Sequence, residues 1–187
     1  MPGVPAEAVD QPGPVPSRLL RGAAVLNDPV VRELLDARLV AVLATPETDG
    51  GIHAVAVWYG FAGEGIVVAT GSRSRKVANV RRAGTATIAL HDSRPGFEIV
   101  GASIACRARI VADDGALALV ELVHRRYVTA AGEALPGVSQ FMASDDVAIV
   151  LEPLSAFTWD ERGSEAAQAL RAHGGALPLE PTAPRAL

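Results

Sequence analysis

Apolar and polar positions along the chain change period at identifiable points, and those points divide it into elements. Behind Asp28 and Pro29, apolar side chains at Val31, Leu34 and Leu35 recur at helical spacing. Asp28 supplies a cap acceptor and Pro29 suits the first helical position, so a short helix to about Asp36 is predicted. From Arg38 the period falls to two or the run becomes continuously apolar, predicting strands at Arg38–Thr45, Ile52–Tyr59 and Gly65–Thr70. Turns at Glu47–Gly51 and Gly60–Glu64 join them; Asp49-Gly50-Gly51 is a strong hairpin signal because glycine accepts positive φ without steric cost. A basic helical stretch follows within Gly71–Arg82, then strands at Thr85–His91 and Phe97–Val111. Asp113 and Asp114 open a helix to about Thr129 whose apolar side is formed by Ala116, Leu117, Leu119, Val120, Leu122 and Val123. After a loop with a helical turn near Gly137–Ala143, strands are expected at Asp146–Glu152 and Ser155–Glu161, punctuated by Pro153. The order describes an antiparallel meander, and the long Phe97–Val111 run suits a strand that bends as a sheet closes into a barrel.

Composition sets the boundaries of this unit. A chain of 187 residues with 49% hydrophobic and 20% charged residues supports one globular domain with tails. Residues 1–27 are rich in proline and glycine and are expected to form a mobile arm, 28–161 the folded domain, and 162–187 a tail with an Ala-rich stretch at Ser164–His173. No window reaches the roughly 18 to 20 apolar residues of a membrane helix, and the N-terminus lacks signal-peptide character, so a soluble, cytoplasmic protein is expected. Cys106 lies in an apolar alternating run and reads as a small buried hydrophobe. A net charge of -4 and only 4% aromatic residues argue against a nucleic-acid binder.

Against that acidic background, Gly71-Ser72-Arg73-Ser74-Arg75-Lys76-Val77-Ala78-Asn79-Val80-Arg81-Arg82 is the densest positive block. A strand, a small polar turn and a basic helix leave backbone N–H groups at a helix N-terminus beside full positive charges, the arrangement that holds a phosphate. Helical spacing puts Ser72, Lys76 and Asn79 on one face, with Val77 and Val80 towards the sheet. The same run also describes a plain solvated face. In the second strand, alternation puts His53, Val55, Val57 and Tyr59 on one side and Ala54, Ala56 and Trp58 on the other. The small residues admit a flat ring against the backbone, and equally a bulky core neighbour. His53, His91, His124 and His173 fall in different elements, so no metal site is expected. Neither a nucleophile elbow, a dinucleotide-binding glycine turn nor a P-loop is present.

Asp49-Gly50-Gly51-Ile52-His53 running into Val57-Trp58-Tyr59, Ser74 to Arg82 after the third strand, and the closing Phe157-Thr158-Trp159 together resemble the split β-barrel flavin and deazaflavin oxidoreductases related to pyridoxamine 5'-phosphate oxidase. The resemblance covers Val30 to Glu161. It implies a mainly β, α+β fold: a split β-barrel of six to seven antiparallel strands. It also implies a homodimer with the cofactor between subunits, acting on a small-molecule substrate. In that arrangement Lys76 pairs with the cofactor phosphate and Ser72, Arg73, Ser74 and Arg75 supply further donors. Asn79 supports the helix start or the cofactor, and His53, Val55, Ala56 and Val57, with Ala69 and Thr70, line the ring. FMN-binding members of the oxidase branch carry an arginine in the preceding strand and a lysine at its end; His53 to Gly60 has neither, which favours the deazaflavin coenzyme F-420 over FMN. The expected activity is hydride transfer to a small unsaturated organic substrate. FMN-dependent oxidoreduction, or non-catalytic binding of a flavin, haem or other tetrapyrrole, is the alternative. No catalytic residue is assigned; Tyr59, Tyr127 and His53 are candidate donors near a substrate.

Overall fold

The computed structural model of the chain describes residues 15–63, 65–93, 97–142 and 145–176. Among the described residues the strands are β1 (Val15–Arg21), β2 (Ala41–Pro46), β3 (Ile52–Val57), β4 (Gly60–Ala62), β5 (Gly65–Gly71), β6 (Thr85–His91), β7 (Val100–Val111) and β8 (Asp146–Asp160). The helices are α1 (Ala24–Asn27), α2 (Pro29–Asp36), α3 (Arg75–Ala83), α4 (Asp114–Tyr127), α5 (Ala130–Glu133), α6 (Pro136–Met142) and α7 (Glu165–His173). All pairings are antiparallel, in the order β3-β2-β6-β7-β8-β5-β4 with β1 also on β8, which is the expected α+β split barrel with eight strands rather than six or seven.

Register fixes which side chains are inside. The paired row Val55, Leu43, Ile88, Ile104, Ala156 and Leu20 crosses six strands and faces the core. Leu43, Ile88 and Ile104 are fully buried, and each large apolar side chain removed from water there contributes about 1.5–3 kcal/mol. The adjacent row, Ala56, Val42, Ala89, Ser103, Phe157 and Leu19, must point outward because side chains alternate along a strand. Helix α4 covers the outer side of β5 and β8, packing Val120 and Val123 against Val67 and Ala148. It comes close enough that a Cβ on Gly60 would lie 2.1 Å from Leu122 Cδ2.

Strand β8 closes the sheet. Residues Asp146 to Leu151 pair with β5 and Ser155 to Asp160 with β1, while β7 runs along the other edge throughout. Cys106 faces Pro153 and Ala105 faces Ser155, so Leu154 is an inserted bulge residue. Two strands separated at Pro153 were expected; one continuous strand forms because the missing proline N–H falls where β8 changes partner.

The expectation of a mobile arm over 1–27 needs correction for its second half. Residues 15–27 form β1 and α1, with Pro16 in the irregular stretch between Val15 and Arg18. Arg18 explains the docking: its guanidinium lies 2.9 Å from Asp28, a buried carboxylate that also accepts from the Val30 and Val31 amides at the start of α2. Residues 1–14 lie outside the described part. The tail likewise begins with α7, capped by Ser164, its Ala167 fully buried and its Arg171 3.1 Å from Glu98. Residues 177–187 are outside the description. The expected turn over Gly60–Glu64 contains β4, with Glu64 likewise outside. No described helix is long and apolar enough to cross a membrane.

Candidate functional site

The end of β5 runs through Gly71-Ser72-Arg73-Ser74 into α3, and the polar side chains of this turn are largely committed to the protein itself. The Ser72 amide donates to Asp145 O at 2.8 Å and its hydroxyl donates to the Asp145 carboxylate. Thr70 Oγ1 donates to Ser74 Oγ at 3.4 Å, and Arg75 reaches Glu47 at 3.2 Å. Arg73 is exposed. Ser74 occupies the cap position of α3 without turning its hydroxyl onto the helix, unlike Asp28, Asp113 and Ser164 at α2, α4 and α7. The first-turn amides of α3 are therefore left without a side-chain acceptor at the positive end of the helix dipole.

Beside that helix start lies a cleft of about 500 Å³. Its walls are Val40; Ala56, Val57 and Trp58 from β3 and its end; Ala69, Thr70 and Gly71 from β5; Lys76 from α3; Val123 and His124 from α4; Phe141 from α6; and Asp146 from β8. Trp58 is fixed by stacking on Tyr127, ring centroids 4.9 Å apart and planes 5° from parallel. Lys76 is half-buried. Burial pushes its ammonium below the ordinary lysine pKa, with the Asp146 carboxylate acting in the opposite direction. His124, only 5% exposed, sits with Nε2 3.5 Å from Asp146 Oδ2. The walls of the cleft are thus largely apolar and carry a cation, an imidazole and a carboxylate.

Of the residues named from the sequence, Ala56, Val57, Ala69, Thr70 and Lys76 come together in this cleft. Ser72, Arg73, Ser74 and Arg75 border the helix start but do not line it. Asn79 is a correction to the shared face proposed for it: it is buried with Val77 and Val80, donates to Thr45 Oγ1 at 3.1 Å and accepts from Arg82 at 3.4 Å, tying α3 to β2. His53 and Val55 do not line the cleft, and Val55 packs on the core. Among the candidate donors, Tyr59 is fully buried with its hydroxyl 2.6 Å from Leu34 O and 2.8 Å from Ala37 O. Tyr127 donates to Leu39 O at 2.5 Å and accepts from the Tyr59 amide at 3.3 Å. Both hydroxyls anchor the end of α2 and the segment after it, and neither tyrosine lines the cleft. Sequence reasoning missed Val40, Trp58, Gly71, Val123, His124, Phe141 and Asp146 as wall residues. For His124 a signal existed: a histidine on the apolar side of α4, next to Val120 and Val123.

The profile of a family described as pyridoxamine 5'-phosphate oxidase matches residues 28–160. No curated protein sequence matches the chain significantly. Among solved structures, the chain is similar to a conserved hypothetical protein from Mycobacterium tuberculosis, with 23% identity over 89% of this chain and 99% of that one and a TM-score of 0.62. It is also similar to an F420 reductase (22% identity, 67% and 94% covered, TM-score 0.52). A third likeness is to HutZ, the heme storage protein from Vibrio cholerae (19% identity, 73% and 97% covered, TM-score 0.56). Similarity at these identities speaks for the fold alone, and the named functions differ within it.

Proposed function

The chain belongs to the pyridoxamine 5'-phosphate oxidase family, and from that premise we propose that it is an oxidoreductase holding the deazaflavin coenzyme F-420 in the cleft beside α3, for hydride transfer to a small unsaturated organic substrate. The observation that carries this reading is the union of an uncapped helix start, a half-buried lysine and a ring-sized apolar slot. The donor set fits a phosphate: first-turn amides and the Lys76 ammonium are charge-assisted partners for its oxygens. The slot fits a flat ring, since Ala56 and Ala69 carry no bulk and Trp58 is already stacked in place. Preference for the deazaflavin over FMN rests on the wall of β3, where His53 to Gly60 offers no arginine or lysine.

When bound, the deazaflavin supplies the hydride; the chain supplies binding, orientation and exclusion of water. Lys76 and the α3 amides hold the phosphate, Ala56, Val57 and Ala69 support one side of the ring, and Phe141 lies at the mouth. A second copy of the chain completes the site in this reading. Leu19, Val42, Ile52, Trp58 and Phe157 remain exposed on the outward sheet face, and Ala56 and Trp58 belong both to that face and to the cleft. An apolar face of this kind marks an interaction surface.

Turnover decides between enzyme and carrier. Reduced F-420 mixed with the protein and a panel of enones, nitro compounds and biliverdin is expected to be oxidised as substrate is consumed. Tight retention of a cofactor or tetrapyrrole with no oxidation across the panel would assign the chain to storage or transport instead.

A further inference from the structure

Reduction of a polarised double bond needs a proton as well as a hydride. The hydride forms a C–H bond at the electrophilic carbon, the π bond breaks, and its electron pair collects on the neighbouring atom, which then takes the proton. The reductant is the reduced deazaflavin, so this inference rests on the reading of the cleft given above. The titratable side chains lining the described cleft are Lys76, His124 and Asp146. Lys76 is committed to the phosphate, and the tyrosines spend their hydroxyls on backbone carbonyls.

We propose that His124 is the proton donor to the substrate, held in place by Asp146 as a positioning residue. His124 lies on the stripe of α4 formed with Ala116, Val120 and Val123, where any aliphatic side chain would pack without the cost of burying a polar ring. Its Nε2 is 3.5 Å from the Asp146 carboxylate, and the ring lines the cleft wall. Asp146 opens β8 opposite Gly71, so the pairing of β8 with β5 sets the carboxylate in the cleft wall where α4 delivers the imidazole. The charged groups around the ring are few. Asp146 comes from β8 and Lys76 from α3; β4 and β5 add none. On α4 itself, Glu121 and Arg125 pair with each other at 3.0 Å. After donation the imidazole recovers its proton from water through the cleft mouth.

The test uses the full chain with 2-cyclohexen-1-one as substrate probe. First, F-420 binding to wild type, His124→Gln and Asp146→Asn is measured, and every later comparison is made at saturating cofactor. Failure of wild type to bind F-420 or FMN would overturn the cofactor reading itself, and the proposal with it. Second, the imidazole resonances of wild type loaded with oxidised F-420 are followed by NMR as the enone is added. The His124 signal should shift, and the shift should be altered in Asp146→Asn, where the partner that positions the ring is changed. Third, His124→Gln should lower kcat by about a hundredfold and abolish the fall in rate towards high pH, with partial rescue by added imidazole. A His124 signal indifferent to the enone, or wild-type kcat and pH profile in His124→Gln, would overturn the assignment while leaving the cofactor site intact.

Discussion

At the scale of single residues, Lys76 carries most of the cofactor reading. It contributes one charge-assisted contact to a phosphate, roughly 1.5–3 kcal/mol, so Lys76→Ala should weaken cofactor binding about tenfold to 150-fold. Isothermal titration of both proteins measures it, and equal affinities would remove the lysine from the phosphate. Tyr59 makes a contrasting case. Burial pushes its phenol up to about 12, and its hydroxyl serves the carbonyls at the end of α2. Tyr59→Phe should therefore lower unfolding stability by about 1–3 kcal/mol, read from urea denaturation, and leave cofactor affinity unchanged. A loss of affinity without a loss of stability would return Tyr59 to the site.

At the scale of elements, an ion-pair network among the described residues joins α2 to the end of β8. Arg162 reaches Glu33 at 2.5 Å and Asp160 at 2.6 Å, and its hydrogen bonds hold both carboxyls below their usual range. A depressed folded-state pKa means that this stabilisation is complete above the unfolded pKa near 4 and is lost as pH falls through the folded values. Arg162→Ala should cost about 1 kcal/mol at neutral pH, discounted because Arg162 and Glu33 are partly exposed, and should flatten the acid side of the stability profile. Thermal melts from pH 7 down to pH 3 check both. Sequence pattern located most elements because Asp28-Pro29, the Asp49-Gly50-Gly51 turn and the alternating strands are local signals. It missed β1 because Arg18 meets Asp28 and Leu20 meets Ala156 only after β8 has formed. It divided β8 at Pro153 because the change of partner strand that accommodates a proline is a property of the sheet. Within the site, Lys76, Ala56 and Ala69 were legible from the strand-turn-helix order, whereas His124 and Asp146 meet across a pairing of β5 with β8 and look in sequence like a core histidine and a strand-leading acid.

At the scale of the molecule, the split barrel leaves one sheet face apolar and the cleft open along its edge. If a second copy covers both, Phe157→Glu should convert a dimer to a monomer in analytical ultracentrifugation and weaken cofactor binding with it, since Ala56 and Trp58 belong to face and cleft alike. A monomeric wild type that binds cofactor fully would separate the cleft from any interface. The account's central claim is that the cleft beside α3 holds a phosphate-bearing deazaflavin, and parallel equilibrium titrations of the purified chain with coenzyme F-420 and FMN test it most directly. Saturable F-420 binding that is tighter than FMN binding and depends on Lys76 is the predicted result; FMN binding alone, or F-420 binding indifferent to Lys76, would contradict it.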